Sequence, residues 1–164
     1  MFGPGVKSTM NLSIPESGLK SRLVRQLVVL GEEKKKFLDN YFPVYGKKRN
    51  EMNSYLSNYT RAVEKLLESA EHNEELLNNV VLIGSQITIS YISEQSEQSE
   101  SFTIDFPNKA NAEYNRISFL SPVGYPLLLT EPGDVVTVET PAGVVRIRVE
   151  SIRLTPEARG AWIA

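Results

Sequence analysis

The sequence predicts an α+β protein: an antiparallel helical hairpin with a coiled-coil seam, followed by a small antiparallel β sheet crossed by a short helix. Three observations carry this. Apolar residues recur at three- and four-residue steps from Leu19 to Ala70, interrupted by Lys34 and broken at Phe42-Pro43-Val44-Tyr45-Gly46. From Gln86 the spacing changes to alternation, the mark of strands. A Ser-Pro pair at Ser121-Pro122 then opens a helical turn inside the strand-rich part. The boundaries expected are a flexible arm over 1–16, the hairpin over 17–79, the β domain over 80–154 and a tail over 155–164.

The arm, Met1 to Glu16, is rich in Gly, Pro and Ser and lacks a regular apolar pattern. The first helix is expected from Ser17, with Leu19, Leu23, Leu27, Leu30, Phe37 and Tyr41 as its apolar stripe. Gly31 weakens its centre by about 1 kcal/mol relative to Ala. The run Glu32-Glu33-Lys34-Lys35-Lys36 reads as a solvated face with pairing at i,i+3 and i,i+4. Pro43 ends the helix, because it disfavours the α conformation at Phe42 and brings no N–H. A second helix, about Lys47 to Ala70, carries Met52, Leu56, Tyr59, Val63, Leu66 and Ala70 at alternating steps of four and three, a heptad seam. Two stripes of similar length around a short break make an antiparallel pair, and about 24 residues give an arm roughly 36 Å long.

The polar stretch Glu71 to Asn79 closes the helical part, and His72 reads as a surface residue among its charged neighbours. Ile87, Ile89 and Tyr91 share one face of a first strand over Gln86–Ile92. Glu94 to Ser101, EQSEQSES, reads as a solvated hairpin loop. Phe102, Ile104 and Phe106 alternate into Pro107, which ends the next strand, and Asn108 to Asn115 reads as a loop into Arg116-Ile117-Ser118-Phe119. Ser121 caps a short helix with Pro122 in its first turn, and Leu127, Leu128 and Leu129 supply core. Val135 to Thr140 alternates, Thr140-Pro141-Ala142-Gly143 reverses the chain, and Val144 to Val149 returns as its partner with Arg146 and Arg148 on one face. Trp162, in the tail, is expected to fold back onto the body.

Composition narrows the function. With 18 Lys and Arg against 20 Asp and Glu, the chain is slightly acidic, which argues against binding nucleic acid mainly by counterion release. The absence of cysteine excludes disulfides and thiolate metal sites, and one histidine cannot build a His cluster. No apolar run approaches the ~20 residues that span a bilayer, so a cytoplasmic protein without a membrane partner is expected. Phosphate-binding loops, dinucleotide fingerprints and the G-x-S-x-G elbow are missing. No catalytic, metal or cofactor residues are therefore assigned, and the chain is expected not to be an enzyme.

Four blocks in order carry a family resemblance: Val80-Val81-Leu82-Ile83-Gly84-Ser85-Gln86-Ile87-Thr88-Ile89; Ser121-Pro122-Val123-Gly124 with Leu127-Leu128; Pro132-Gly133-Asp134-Val135-Val136; and Thr140-Pro141-Ala142-Gly143. Together they resemble the C-terminal domain of the Gre transcript-cleavage factors, an FKBP-like module, over roughly the second half of the chain. The resemblance implies a transcription elongation regulator that binds bacterial RNA polymerase as a monomer, touching DNA only through the polymerase. It implies polymerase contact beside the Ser-Pro cap, at Leu120, Ser121, Pro122 and Tyr125. It also implies that the hairpin tip approaches the polymerase through its secondary channel, where Gre factors use acidic residues to help hold a catalytic Mg²⁺.

The chain departs from the family at that tip. Phe37, Asp39, Tyr41, Phe42, Tyr45, Lys47 and Lys48 mark a partner-binding tip with a single carboxylate, where Mg²⁺ needs several oxygen ligands. A regulator that does not stimulate cleavage follows. Three other readings stay open: a true cleavage factor using Asp39 with Glu32 or Glu33, a module of the nucleoside diphosphate kinase regulator type, and a prolyl isomerase. Glu32 lies about two turns, roughly 10 Å, from Asp39, which weakens the first. The sequence identifies no aromatic-lined pocket for the last.

Overall fold

The computed structural model describes residues 18–93 and 98–155. The expected arm, the helix start at Ser17, residues 94–97 of the polar loop, and Trp162 with the rest of the tail beyond Thr155 lie outside the described residues. Two compact units divide between Ser69 and Ala70.

In the first unit, α1 (Leu19–Tyr41) and α2 (Lys47–Ser69) are each 23 residues long. α1 starts without a side-chain cap; the Gly18 carbonyl accepts from the Arg22 N–H at 3.0 Å. The helices run antiparallel, since the partner in α2 advances as the partner in α1 recedes: Asp39 meets Arg49, Lys34 meets Ser57 and Gln26 meets Tyr59. The α2 seam holds at Met52, Leu56, Tyr59 and Val63, all buried, while Leu66 is half-buried. The α1 stripe needs correcting. Leu23 and Leu30 are buried, but Leu27 and Phe37 are only half-buried and Tyr41 is exposed. Gln26 and Leu38 take their places in the buried set. The reason is polar pairing: the buried Tyr59 hydroxyl donates to Gln26 Oε1, so an amide occupies a position where apolar periodicity expects a hydrocarbon.

The second unit opens with two 3₁₀ turns, Ala70–His72 and Glu74–Asn78. Leu77 is fully buried, and Asn78 Oδ1 accepts from the Leu154 N–H at 2.8 Å. The polar stretch after α2 therefore belongs to the β unit. Val81, Leu82 and Ile83 follow, buried, into a turn that needs glycine: Gly84 has φ +103° and donates to the Ile104 carbonyl at 2.7 Å.

Five strands follow among the described residues: β1 (Ser85–Tyr91), β2 (Gln98–Asp105), β3 (Arg116–Ser118), β4 (Val135–Thr140) and β5 (Gly143–Leu154). Their spatial order is β3-β2-β1-β5-β4. The sheet is mixed rather than wholly antiparallel, because β3 lies parallel to β2 in the register Thr103↔Arg116 to Asp105↔Ser118. The connection between them folds into two 3₁₀ turns, Pro107–Lys109 and Ala112–Tyr114, and Asn115 at φ 53° turns the chain so that it re-enters in the same direction as β2. The polar repeat is corrected too. Gln98 to Ser101 are strand, paired with Tyr91 to Thr88, because backbone pairing to β1 continues where side-chain composition suggests a loop. Thr88 Oγ1 and Ser101 Oγ meet at 2.8 Å on that segment.

Ile87 and Ile89 of β1, Phe102 and Ile104 of β2, Val138 of β4 and Ile147 and Val149 of β5 are buried. Burial in β5 changes parity after Val149, passing to Ile152 and Leu154. The cause is a bulge: Ile89 pairs with Val149 but Thr88 with Ser151, which leaves Glu150 as the extra residue. Phe119, Leu127 and Leu128, from the segment around the helical turn α3 (Gly124–Leu127), complete this core. Asp105 at the end of β2 is buried; its Oδ2 accepts from Arg116 NH1 and its Oδ1 from the Phe106 N–H, each at 2.8 Å, which ties β2 to the parallel strand.

Candidate functional site

The hairpin tip is built around Arg49. Its side chain, 9 % exposed, donates through NH2 to Asp39 Oδ1 at 2.8 Å and through NH1 to the Phe42 carbonyl at 3.0 Å. Its guanidinium carbon lies 4.3 Å from the centre of the Tyr45 ring. Asp39 Oδ2 accepts from Lys35 Nζ at 3.2 Å. Both oxygens of Asp39 thus face cations, and Arg49 first, then Lys35, hold its carboxyl below the usual carboxylate range. Asp39 is part of a clasp that closes the break between the helices rather than a solvated helix end.

Around the clasp the tip shows apolar and cationic groups. Phe37, half-buried, packs on Tyr41 with ring centres 4.9 Å apart. Phe42 is half-buried, its N–H donating to the Leu38 carbonyl at 2.8 Å. Val44 and Tyr45 are 79 % and 75 % exposed, and Lys47 and Lys48 stand exposed beside them. The charges run against the helix dipoles. Asp39 sits in the last turns of α1 with no basic residue in the final turn, and Lys47 and Lys48 begin α2 with no acidic residue in its first turn. Each such placement is unfavourable to the helix end it occupies. These residues are not those that would best stabilise the helix ends.

This tip does not fit a Mg²⁺ ion. Mg²⁺ binds through carboxylates with near-octahedral oxygens, and the tip's one carboxylate is already engaged by two cations. Among the described residues no three His, Cys, Asp or Glu side chains are grouped to hold a metal.

In the β unit, Ser121 performs the capping role. Its Oγ accepts from the Gly124 N–H at 2.9 Å and donates to the Ser118 carbonyl at 2.7 Å, and its own carbonyl accepts from the Tyr125 N–H at 2.9 Å. Gly124 is required by packing, since a Cβ there would stand 2.3 Å from the Ser118 carbonyl oxygen. The exposed Pro122 and half-buried Ser121 and Val123 form one side of a groove of about 300 Å³. Tyr91, Glu100, Phe102 and Ile117, from β1, β2 and β3, form another side, and Thr140 and Pro141 close it. Tyr91 donates its hydroxyl to Glu100 Oε1 at 2.6 Å. Burial, then the Glu100 carboxylate, push the Tyr91 phenol up to about 12.

The structure brings Ser121 and Pro122 into this groove, while Leu120 and Tyr125 lie beside the cap outside its lining. Sequence reasoning missed Arg49, although an acid and an arginine flanking the Phe42–Gly46 break was a usable signal. It also missed Tyr91, Glu100 and Phe102, whose meeting with Pro122 depends on the β1–β2 pairing inside a run that reads as loop. Two aromatic side chains thus stand in a groove where the sequence identifies no aromatic-lined pocket. Among the described residues no helix is long and apolar enough to cross a membrane.

A family profile described as "Transcription elongation factor, GreA/GreB, C-term" matches residues 76–154. The chain is similar to Transcription elongation factor GreA of Thermosipho africanus, 33% identical over 92 residues that cover 56% of this chain and 58% of the relative. It is 31% identical over 111 residues to Transcription elongation factor GreA of Thermoanaerobacter pseudethanolicus, covering 66% of this chain and 69% of the relative. The matches therefore span about three fifths to two thirds of these relatives. Among solved structures, the GreA factor homolog 1 protein of Thermus thermophilus aligns over 84% of this chain and 95% of its own, at 25% identity and a TM-score of 0.40.

Proposed function

Because the chain belongs to the GreA/GreB family of transcription elongation factors, we propose that it regulates bacterial RNA polymerase without stimulating transcript cleavage. In this reading the Ser121–Pro122 side of the β unit docks on the polymerase and the hairpin tip works at or in the secondary channel. The protein acts in the cytoplasm as a monomer, meets DNA only through the polymerase, and contributes no catalytic group of its own.

The observation that carries the non-cleaving reading is the engagement of Asp39 by Arg49 and Lys35. Help with a catalytic Mg²⁺ at a distant active site requires free carboxylate oxygens at the tip. Here the tip offers Val44, Tyr45, Lys47 and Lys48, groups suited to packing and to anionic surfaces.

The test is binding of the full chain to purified core polymerase, with a GreA protein as competitor, followed by a cleavage assay on stalled elongation complexes. Saturable binding displaced by GreA, with no stimulated cleavage, is expected. Stimulated cleavage that disappears in Asp39→Ala would instead make the chain a true cleavage factor. Absence of binding at micromolar concentrations would remove the polymerase from the account.

A further inference from the structure

We infer that the hairpin tip binds a single nucleotide of the nucleoside triphosphate class, its base stacked on Tyr45 and its phosphates taken by Lys47 and Lys48. The inference goes beyond the polymerase reading and does not depend on it.

An aromatic platform sets the base half. Tyr45 lies in the break between α1 and α2 and is 75 % exposed. The Arg49 guanidinium backs one face of its ring, 4.3 Å from the centre. Arg49 is itself held, donating to Asp39 Oδ1 at 2.8 Å and to the Phe42 carbonyl at 3.0 Å, so the ring is propped by a group fixed at two points. The other face is left to solvent. An open, flat π-face suits a planar base, and such stacking accepts any base because every base has a π-face of its own. An aliphatic side chain laid on the same ring would stay largely wet, since no recess surrounds it. A ring placed before contact also loses little entropy when a ligand arrives.

Charge sets the phosphate half. The chain as a whole has 18 Lys and Arg against 20 Asp and Glu, yet over residues 34–50 Lys34, Lys35, Lys36, Lys47, Lys48 and Arg49 stand against Asp39 alone. Lys34 is committed to Ser57 Oγ, and Lys35 and Arg49 to Asp39. Lys47 and Lys48 are exposed and make no ion pair among the described residues, even with Glu51 one turn on. They follow Tyr45 by two and three residues, and their flexible stems can carry two ammonium groups to a polyphosphate whose base lies on the ring. So short a cationic patch on an acidic chain lacks the long series of phosphate contacts that holds a strand, which favours one nucleotide over a nucleic acid.

The experiment titrates the full chain with ATP in the absence of Mg²⁺ and follows the tyrosine ring signals by NMR. Inorganic triphosphate and single-stranded oligouridylates of increasing length serve as comparisons. The variants are Tyr45→Phe, Tyr45→Leu and the double change Lys47→Gln with Lys48→Gln, each first shown to keep the parent's helix content. ATP is expected to shift the ring signals that Tyr45→Leu removes. Tyr45→Leu should weaken ATP binding about tenfold, the worth of one stacked base, while Tyr45→Phe, which keeps the ring, stays within about twofold of the parent. The double lysine variant should weaken it about fivefold and flatten its dependence on salt. No shift of the Tyr45 signals at millimolar ATP overturns the inference. So does inorganic triphosphate that binds as tightly as ATP, or Tyr45→Leu within about twofold of the parent. An oligouridylate affinity that climbs with length would show a strand-binding surface and overturn it as well. Because polymerase is absent from these titrations, failure here leaves the polymerase reading standing, and failure of that reading leaves this one.

Discussion

Leu129, at φ 70°, holds a left-handed conformation that costs an L residue about 1–2 kcal/mol. Two backbone bonds hold it there: its N–H donates to the Val81 carbonyl at 2.8 Å, and the Val81 N–H donates to the Thr130 carbonyl at 2.9 Å. Leu129→Gly removes the strain along with a half-buried side chain, so its stability in urea should stay within about 1 kcal/mol of the parent. Leu129→Ile keeps the volume but adds a β-branch, for which this conformation is an outlier, and should lose about 1–2 kcal/mol. Equal stability of the Gly and Ile variants would show that the backbone at this position is not the constraint. At the tip, Asp39 has a lowered pKa in the folded chain, so its clasp contributes above the ordinary carboxylate value and is lost as pH falls through the lowered one. Helix content followed in urea should therefore weaken below about pH 4 in the parent. Asp39→Asn should be weaker at neutral pH and lack that acid limb; an identical acid limb in the variant would remove Asp39 as its source.

At the scale of elements, the turn from Ser118 to Leu127 shows how closely the chain is drawn around its cap. The Ser118 carbonyl already accepts from both the Ser121 N–H and Ser121 Oγ, and it faces Gly124 with no room for a methyl group. Gly124→Ala must push that carbonyl away and disturb both bonds. A loss of about 1–3 kcal/mol in urea denaturation is expected, and a neutral outcome would mean that the turn yields freely. Elements were legible in the sequence wherever period and polarity agree. The α2 seam and the strands at Ile87–Ile89 and Phe102–Ile104 show this. They were misread where a polar side chain does apolar work or a polar segment is held by its backbone: Gln26 sits under Tyr59, and Gln98–Ser101 pair with β1. The β5 bulge at Glu150 likewise breaks an alternation that a period-2 reading assumes to continue.

For the whole molecule, the α+β order and the Ser-Pro block were readable because each is local: a change of period, a cap followed by proline, a turn between two alternating runs. The parallel pairing of β2 with β3 was not, since it depends on how the two 3₁₀ turns after Phe106 re-aim the chain. For the same reason only Ser121 and Pro122 of the groove could be named in advance; its other walls come from strands distant in sequence. The strand order has a further consequence, for synthesis. β5, the last of the described strands to leave the ribosome, lies between β1 and β4 and joins them. Until it emerges, β1 has an open edge and β4 has no partner strand. A chain cut short by a nonsense codon before Gly143 would lack the strand that joins its sheet. Such a product should go to proteases rather than persist as a shortened protein.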